Sequence, residues 1–348
     1  MAIPAEQIFC YTVRMANECT LSSEELQSEK LDARLAAFGR SGITEFVLHD
    51  RAVLSDKKLL LRFLQAAARN APQCFFTFSV EPAVLDVRII AAIAGLFASV
   101  NVAMRGSVRV NERGAPFLLL DKRLFARKAR LLNDAGAVFG FELGLARQSG
   151  DSFRAFAERL DFALSLYPNH LHIDCDPPPE PTGTFSTQEI RKAAEIAHAC
   201  RSFYNAGRAV PWFLALLEPL RIRPSRFLAD FAEWQRCNNC GIGSGFDADS
   251  AAHKDIEVMQ LHFLRMKYEE RRLERLLAVA EDTVRLHGAF ARASGEGEET
   301  RLSLSYLPED LLSPAALHPA GFCEDVCMVQ CGARVFLGSD GPECECEP

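Results

Sequence analysis

The sequence has no apolar run of the length that a membrane span needs. Nowhere in its 348 residues is there a stretch near the roughly 18–20 apolar residues that cross a bilayer. The first residues, MAIPAEQIFCYTV, also lack the basic segment and following apolar segment of a secretory signal. We therefore expect a soluble, cytoplasmic protein without a membrane partner.

Long basic runs and the common nucleotide and hydrolase motifs are missing as well. The 39 Lys and Arg residues face 46 Asp and Glu residues, which gives a net charge of −7. This balance argues against nucleic acid as a partner. No Gly-x4-Gly-Lys-Ser/Thr loop and no Gly-x-Ser-x-Gly elbow is present, and Gly241–Gly245 does not follow a predicted strand. ATP-dependent and serine-hydrolase functions are disfavoured.

Cysteine, in contrast, is plentiful, with 12 residues. In a long chain without an export signal these residues are expected to be reduced thiols or metal ligands rather than a disulfide framework. Cys237 and Cys240 have half of a zinc-site spacing, and no second pair is evident. The remaining carboxyl-terminal cysteines are Cys323, Cys327, Cys331, Cys344 and Cys346. We expect no metal site, and a metal or cluster site built from some of these thiols is the alternative.

Six short β-rich runs with helical stretches between them predict an α/β fold. Their spacing is what repeated βα units need, and their apolar character favours a parallel sheet covered by helices on at least one face. The predicted strands are Ile8–Val13, Glu45–Leu48, Phe75–Val80, Val100–Met104, Val138–Leu143 and His170–Ile173. Helix starts are indicated by Asp56, Pro82, Asp121 and Asp151, and by the capping-box pairs Ser22 with Glu25 and Ser186 with Glu189.

The pattern changes after Pro211, where helical stripes replace the βα alternation. We predict a partial (βα)6 TIM-like barrel over residues 1–207 and a mainly helical region over 208–348. Two short β-like runs, Val326–Gln330 and Arg334–Leu337 around Gly332, predict a small terminal hairpin.

Polar and charged residues follow nearly every predicted strand. In parallel βα folds ligands bind at the carboxyl ends of the strands, where loops and helix N-termini converge. This rule selects the candidate ligand-binding residues His49, Asp50, Glu81, Arg105, Glu142, Asp174 and Asp176, to which the family resemblance described below adds Gly144. So many carboxylates beside one arginine favour a hydrated or ligand-occupied site over a dry one.

Over about residues 8–235 the chain resembles the radical S-adenosylmethionine (SAM) proteins of the cobalamin-associated branch. The segments that carry the resemblance include LSSEELQSEKLDARLAAFGRSGITEFVLHD, FELGLARQSGDSFRAFAERLDFA and PPPEPTGTFS. The resemblance implies a partial TIM barrel of the radical SAM type. It also implies that Asp50 meets the methionyl amino group, that Arg105 meets the ribose or carboxylate, and that Glu142–Gly144 borders the adenine.

The defining cluster motif of that family is missing. Three cysteines spaced C-x3-C-x2-C bind the iron–sulfur cluster in the family, whereas here Cys10 is expected inside the first strand and only Cys19 in the loop. Seven residues before the first predicted strand leave no room for a cobalamin domain. We therefore expect neither the 4Fe–4S cluster nor radical chemistry, and SAM is the one family cofactor retained as a candidate ligand.

Three functions remain open at this point. The first is that of a degenerate radical SAM-like protein that binds SAM or a related small molecule. The second is that of a regulatory protein of this kind that binds a protein partner. The alternative is a metal-assisted barrel hydrolase or lyase that uses His49, Glu81, Glu142 and Asp174. Fold likeness cannot choose among them, so whether the chain is an enzyme stays open.

Overall fold

A computed structural model describes residues 17–19, 30–40, 45–48, 54–175 and 179–347. The described residues divide into two compact units, one ending at Ala193 and the other beginning at Ala194. Each unit is described by itself below. The division predicted at residue 207 stays a prediction.

The first unit is built on a six-stranded parallel sheet. Its strand order is β1-β2-β3-β4-β7-β8, and its strands are β1 Asn17–Cys19, β2 Glu45–Leu48, β3 Phe75–Val80, β4 Ala98–Ala103, β7 Val138–Gly144 and β8 His170–Asp174. The predicted strands from the second onward are confirmed, whereas Ile8–Val13 lies outside the described residues. The observed first strand pairs Cys19 with Leu48. The α/β class is therefore confirmed, and closure into a (βα)6 barrel stays a prediction.

Helices alternate with the strands of this sheet. They are α1 Lys30–Arg40, α2 Lys57–Asn70, α3 Val87–Ala94, α4 Lys122–Asp134, α5 Phe153–Leu164 and α6 Thr187–Cys200, the last of which spans the division between the units. Asp56 and Asp121 accept N–H hydrogen bonds of the first turns of α2 and α4, as predicted. The capping box of α6 is also confirmed, because Ser186 N–H donates to Glu189 Oε2 at 2.8 Å.

Two helix starts differ from the prediction. Helix α3 begins at Val87 with Asp86 as its cap, rather than at Pro82. The cap of α5 is Ser152, whose Oγ accepts from Ala155 N–H at 3.2 Å, rather than Asp151. Asp151 is instead buried in an ion pair, which is described with the site.

One face of the parallel sheet is apolar and packs against helices. Phe76 of β3 stacks on Phe46 of β2 at 5.7 Å between ring centroids and meets Phe63 of α2 edge-on at 5.6 Å. Phe141 of β7 meets Phe125 of α4 in the same way at 6.2 Å. These rings are almost fully buried, and burying a large aromatic side chain contributes about 2–3 kcal/mol.

A short hairpin that the sequence prediction missed is inserted between β4 and α4. Its strands are β5 Ser107–Val110 and β6 Pro116–Leu119, paired antiparallel. The connecting loop is held by Asn111, whose Oδ1 accepts from the N–H groups of Arg113 and Ala115, both at 2.9 Å. Gly114 has a φ of 76°, a conformation that glycine adopts readily.

The second unit is mainly helical, as predicted. Its elements are a π-helical turn Arg201–Ala206, the α-helices α7 Phe213–Leu217, α8 Pro224–Cys237, α9 His253–Glu270, α10 Leu277–Glu296, α11 Pro308–Leu311 and α12 Pro319–Asp325, and the strands β9 Thr300–Leu304, β10 Cys331–Leu337 and β11 Pro342–Glu347. No helix among the described residues is long and apolar enough to cross a membrane.

A terminal hairpin exists, but the predicted turn at Gly332 was wrong, because Gly332 lies within β10. It joins β10 to β11 through a turn in which Gly338 N–H donates to Gly341 O at 2.8 Å, and residues 326–330 form no strand. The segment PECECE reads as an acidic tail, yet its alternation places Glu345 opposite Arg334. Alternation with period two is what a strand requires, and here opposite charges pair across it.

Candidate functional site

Toward the carboxyl ends of its strands, the second face of the parallel sheet is lined by small and polar side chains. Paired residues of neighbouring parallel strands point to the same side of the sheet. From the amino to the carboxyl ends of the strands, the register therefore gives the rows Glu45 with Phe75; Val47 with Thr77, Ser99 and Val138; Ser79 with Asn101, Gly140 and His170; Ala103 with Glu142 and His172; and Gly144 with Asp174. A parallel sheet covered by helices on both faces carries apolar residues on both. This face is instead suited to contact with a polar ligand.

Charged residues gather where this face reaches the carboxyl ends of the strands. Arg105, which follows β4, lies between two acids: its Nη1 is 3.2 Å from Oε1 of Glu81, and its Nη2 is 3.7 Å from Oε1 of Glu142. The side chain of Arg105 is 55% exposed, that of Glu81 47% and that of Glu142 23%. Ion pairs this open to solvent are weak, so a ligand can exchange with either partner at little cost.

A second ion pair extends the charged row to the last strand of the sheet. Arg147 Nη2 lies 3.3 Å from Oδ1 of Asp174, which ends β8 beside Gly144. Next to Asp174, burial raises the pKa of the Cys175 thiol to about 11, and the carboxylate of Asp174 adds to the shift. Cys175 is therefore a neutral thiol at pH 7. We call Glu81, Arg105, Glu142, Arg147 and Asp174 the edge cluster.

A buried ion pair holds the loop that carries Arg147. Arg159 of α5 donates to Asp151 from Nη1 at 2.8 Å and from Nη2 at 2.9 Å, and both side chains are almost fully buried. The same Nη2 donates to Gly144 O at 3.0 Å, and Asp151 accepts from Ala146 N–H at 3.1 Å. Paired charges with their remaining hydrogen bonds satisfied are tolerated in an interior. This pair ties the end of β7 to the start of α5.

On the same face of the sheet, the ring of His170 in β8 extends over Gly140 of β7 and reaches Asn101 of β4. His170 Nε2 is hydrogen-bonded to Oδ1 of Asn101, and Gly140 lies between them in the register. A Cβ on Gly140 would come within 2.3 Å of His170 Nε2. Only glycine at this position leaves room for the ring.

Burial lowers the pKa of His170 to about 4, and the charge of nearby His172 contributes to the shift. An ordinary histidine has a pKa near 6.5. His170 is therefore neutral at pH 7, and its Nε2–H can donate to Asn101.

This shift predicts a loss of stability in acid. As the pH falls from about 6.5 to about 4, the unfolded chain binds a proton at residue 170 and the folded chain does not, so the free energy of unfolding falls. His170→Gln keeps an amide N–H near the Nε2 position without this titration. We expect the free energy of unfolding of the variant, measured from the protection of β7 and β8 amides against hydrogen exchange, to depend less on pH over that window. An unchanged pH dependence would contradict the assignment. Hydrogen exchange is the suitable measurement because tryptophan fluorescence would report on the second unit, to which both tryptophans, Trp212 and Trp234, belong.

Five of the eight candidate residues from the sequence lie among the described residues. Glu81, Arg105 and Glu142 come together in one ion-paired group, and Gly144 and Asp174 lie side by side at the ends of β7 and β8. His49, Asp50 and Asp176 lie outside the described residues. The role of the set as ligand contacts stays a prediction. Arg147 was missed, although a cation three residues after the end of a strand was a usable signal.

The residues named for a metal-assisted reaction are described in part, because His49 lies outside the described residues. Within that part of the chain, no group of three or more His, Cys, Asp or Glu side chains is placed to hold a metal ion. Glu81 and Glu142 face the guanidinium of Arg105 instead.

The residues around β1 do not fit an iron–sulfur cluster. The predicted position of Cys19 in a loop was wrong, because Cys19 is the last residue of β1 and pairs with Leu48. The segment that follows this strand, residues 20–29, contains no cysteine. A cluster of this kind is held by several thiolates, and this segment supplies none.

Similarity to known proteins is found among solved structures. No protein-family model and no curated protein matches the chain. Among solved structures, 11 chains match. Two are structures of TsrM, a radical S-adenosylmethionine methyltransferase from Kitasatospora setae, one with its tryptophan substrate and the analogue aza-SAM bound, the other with cobalamin and a 4Fe–4S cluster bound.

Both TsrM structures are 17% identical to this chain, with a TM-score of 0.31. The matched part covers 41% of this chain and 29% and 27% of theirs. The chain thus aligns with less than a third of either. The methyltransferase activity and the bound molecules are those of TsrM.

Proposed function

We propose that the edge cluster binds a small cationic or zwitterionic molecule, with SAM as the first ligand to test, and that binding needs no iron–sulfur cluster. The observation that carries the proposal is the convergence of Glu81 and Glu142, from two different strands, on the guanidinium of Arg105. Carboxylates and a guanidinium side by side can hold an ammonium and a carboxylate of one ligand.

The balance of charge in the edge cluster supports a cation over an anion. Its three carboxylates exceed its two guanidinium groups, so one negative charge is left over. SAM carries an ammonium and a sulfonium as well as a carboxylate and so matches this excess. Asp50, for which the resemblance implies contact with the methionyl amino group, would add to it.

Calorimetry with SAM, S-adenosylhomocysteine and methionine tests the proposal. Arg105→Ala removes the guanidinium that would bind the carboxylate of SAM. It should weaken SAM binding by about tenfold, the 1.4 kcal/mol expected of one charge-assisted hydrogen bond. Arg130→Ala is the matched control, since Arg130 forms an exposed ion pair with Asp134 on α4. Equal affinity of the wild type and Arg105→Ala, or no binding by the wild type, would sink the proposal.

A further inference from the structure

The hairpin β5–β6 exposes large apolar side chains directly beside the edge cluster. Four of its eight strand residues are large, apolar and exposed: Val108 at 46%, Val110 at 66%, Phe117 at 40% and Leu119 at 52%. The register places Val108 and Val110 on one face of the ribbon and Phe117 and Leu119 on the other. Contiguous exposed apolar side chains are typical of a binding surface. Single exposed apolar residues are common and would need no explanation.

The backbone holds the hairpin against Arg105. Gly106 directly follows Arg105, and a Cβ on Gly106 would lie 3.1 Å from Leu118 Cβ and 3.4 Å from Leu119 O. Leu119 also pairs with Ser107, two residues beyond Arg105. Since an extended chain advances at most about 3.6 Å per residue, the end of β6 lies within the reach of one small ligand that contacts Arg105.

The loop between β7 and α5 also contacts the hairpin. Gln148 Nε2 donates to Gly106 O at 3.2 Å. Gly150, with a φ of 79°, approaches the hairpin so closely that a Cβ there would lie 2.6 Å from Phe117 N. This loop also carries Arg147 and is anchored by the buried Asp151. The same loop therefore contacts the hairpin and contributes Arg147 to the edge cluster.

From this continuity we infer that the ligand is amphipathic: its cationic group binds at the edge cluster and its apolar part lies on the hairpin, against Phe117 and Leu119. These two side chains share a face of the ribbon because they lie two residues apart in β6. Their register partners Arg109 and Ser107 lie on the same face. The ligand class is thus an organic cation with an aliphatic or aromatic body of several carbons. The inference rests on the proposed function and narrows its ligand class.

A homologous series of protonated alkylamines, from butylamine to octylamine, tests the inference on the full chain by calorimetry. Affinity should rise by about two- to fourfold for each methylene group that the hairpin covers. Phe117→Ser/Leu119→Ser should flatten this dependence on chain length. Glu81→Gln/Glu142→Gln should weaken every amine while the dependence on chain length remains. Val87→Ser is the matched control, because Val87 is an exposed apolar residue on α3, and it should leave the series unchanged.

Several outcomes would overturn the inference. One is a flat series in the wild type, and another is an undiminished length dependence in Phe117→Ser/Leu119→Ser. A third is a wild-type dimer in sedimentation velocity that becomes a monomer in that variant, which would assign the hairpin to a second copy of the chain. A flat series with intact SAM binding defeats this inference alone, whereas failure of the wild type to bind SAM defeats the proposed function.

Discussion

Arg159→Ala should lower the free energy of unfolding of the first unit by about 3–5 kcal/mol, because it leaves the buried carboxylate of Asp151 without its counter-charge. Asp151 and Arg159 are both nearly inaccessible to water, and they share two hydrogen bonds of 2.8 and 2.9 Å. Removal of the guanidinium also frees Gly144 O. The measurement is urea unfolding followed by amide hydrogen exchange in peptides from β7 through β8.

A control for this prediction lies on the same helix. Arg154 pairs with Glu158 at 2.9 Å, but its side chain is 89% exposed. Arg154→Ala should leave stability unchanged within error, since exposed ion pairs contribute little. If Arg159→Ala is as stable as Arg154→Ala, the buried pair does not stabilise the loop. Arg159→Ala should also weaken SAM binding, because the loop that positions Arg147 loses its anchor.

Gly140→Ala should destabilise the sheet by about 1–3 kcal/mol, the usual cost of forcing an extra group into packed surroundings. The new methyl group would overlap the ring of His170, with 2.3 Å to Nε2 and 2.4 Å to Cδ2. To avoid it the ring must leave Asn101, so the hydrogen bond between β8 and β4 is lost as well. Hydrogen exchange in β4, β7 and β8 should accelerate.

The sign of the effect should reverse when the ring is absent. In a His170→Ala background, Gly140→Ala should be neutral or stabilising, because alanine loses less backbone entropy than glycine in a strand. Gly183→Ala serves as the control, since a Cβ there meets nothing within 4 Å. A Gly140→Ala penalty that persists without His170 would show that the ring is not its cause.

Much of the first unit could be predicted from short patterns. The bounds of β2 and β3 follow from their apolar runs and agree with the structure. The terminal strands were harder, because the alternating Glu and Cys residues of 342–347 look like a polar tail unless a partner strand is assumed. The hairpin β5–β6 was missed for a related reason: its apolar residues alternate in short runs, whereas βα spacing predicts strands only from longer ones.

Asp151 shows that local sequence patterns alone do not decide which residue caps a helix. Asp151 and Ser152 are residue types equally suited to cap α5, and Asp151 was the predicted cap. In the structure Ser152 caps the helix, since burial beside Arg159 gives Asp151 a charged partner. The choice depends on the surroundings of the two side chains rather than on their types.

By itself the sequence determined the α/β class, the helix caps at Asp56 and Asp121, and the row of charges that ends the strands. Each depends on residues a few positions apart, so it can be deduced from period and spacing alone. Only the tertiary structure decided that Arg105 meets both Glu81 and Glu142 and that His170 crosses Gly140. Those contacts depend on which strands are neighbours and in what register they pair, because residues distant in the sequence meet only once the sheet has set its order.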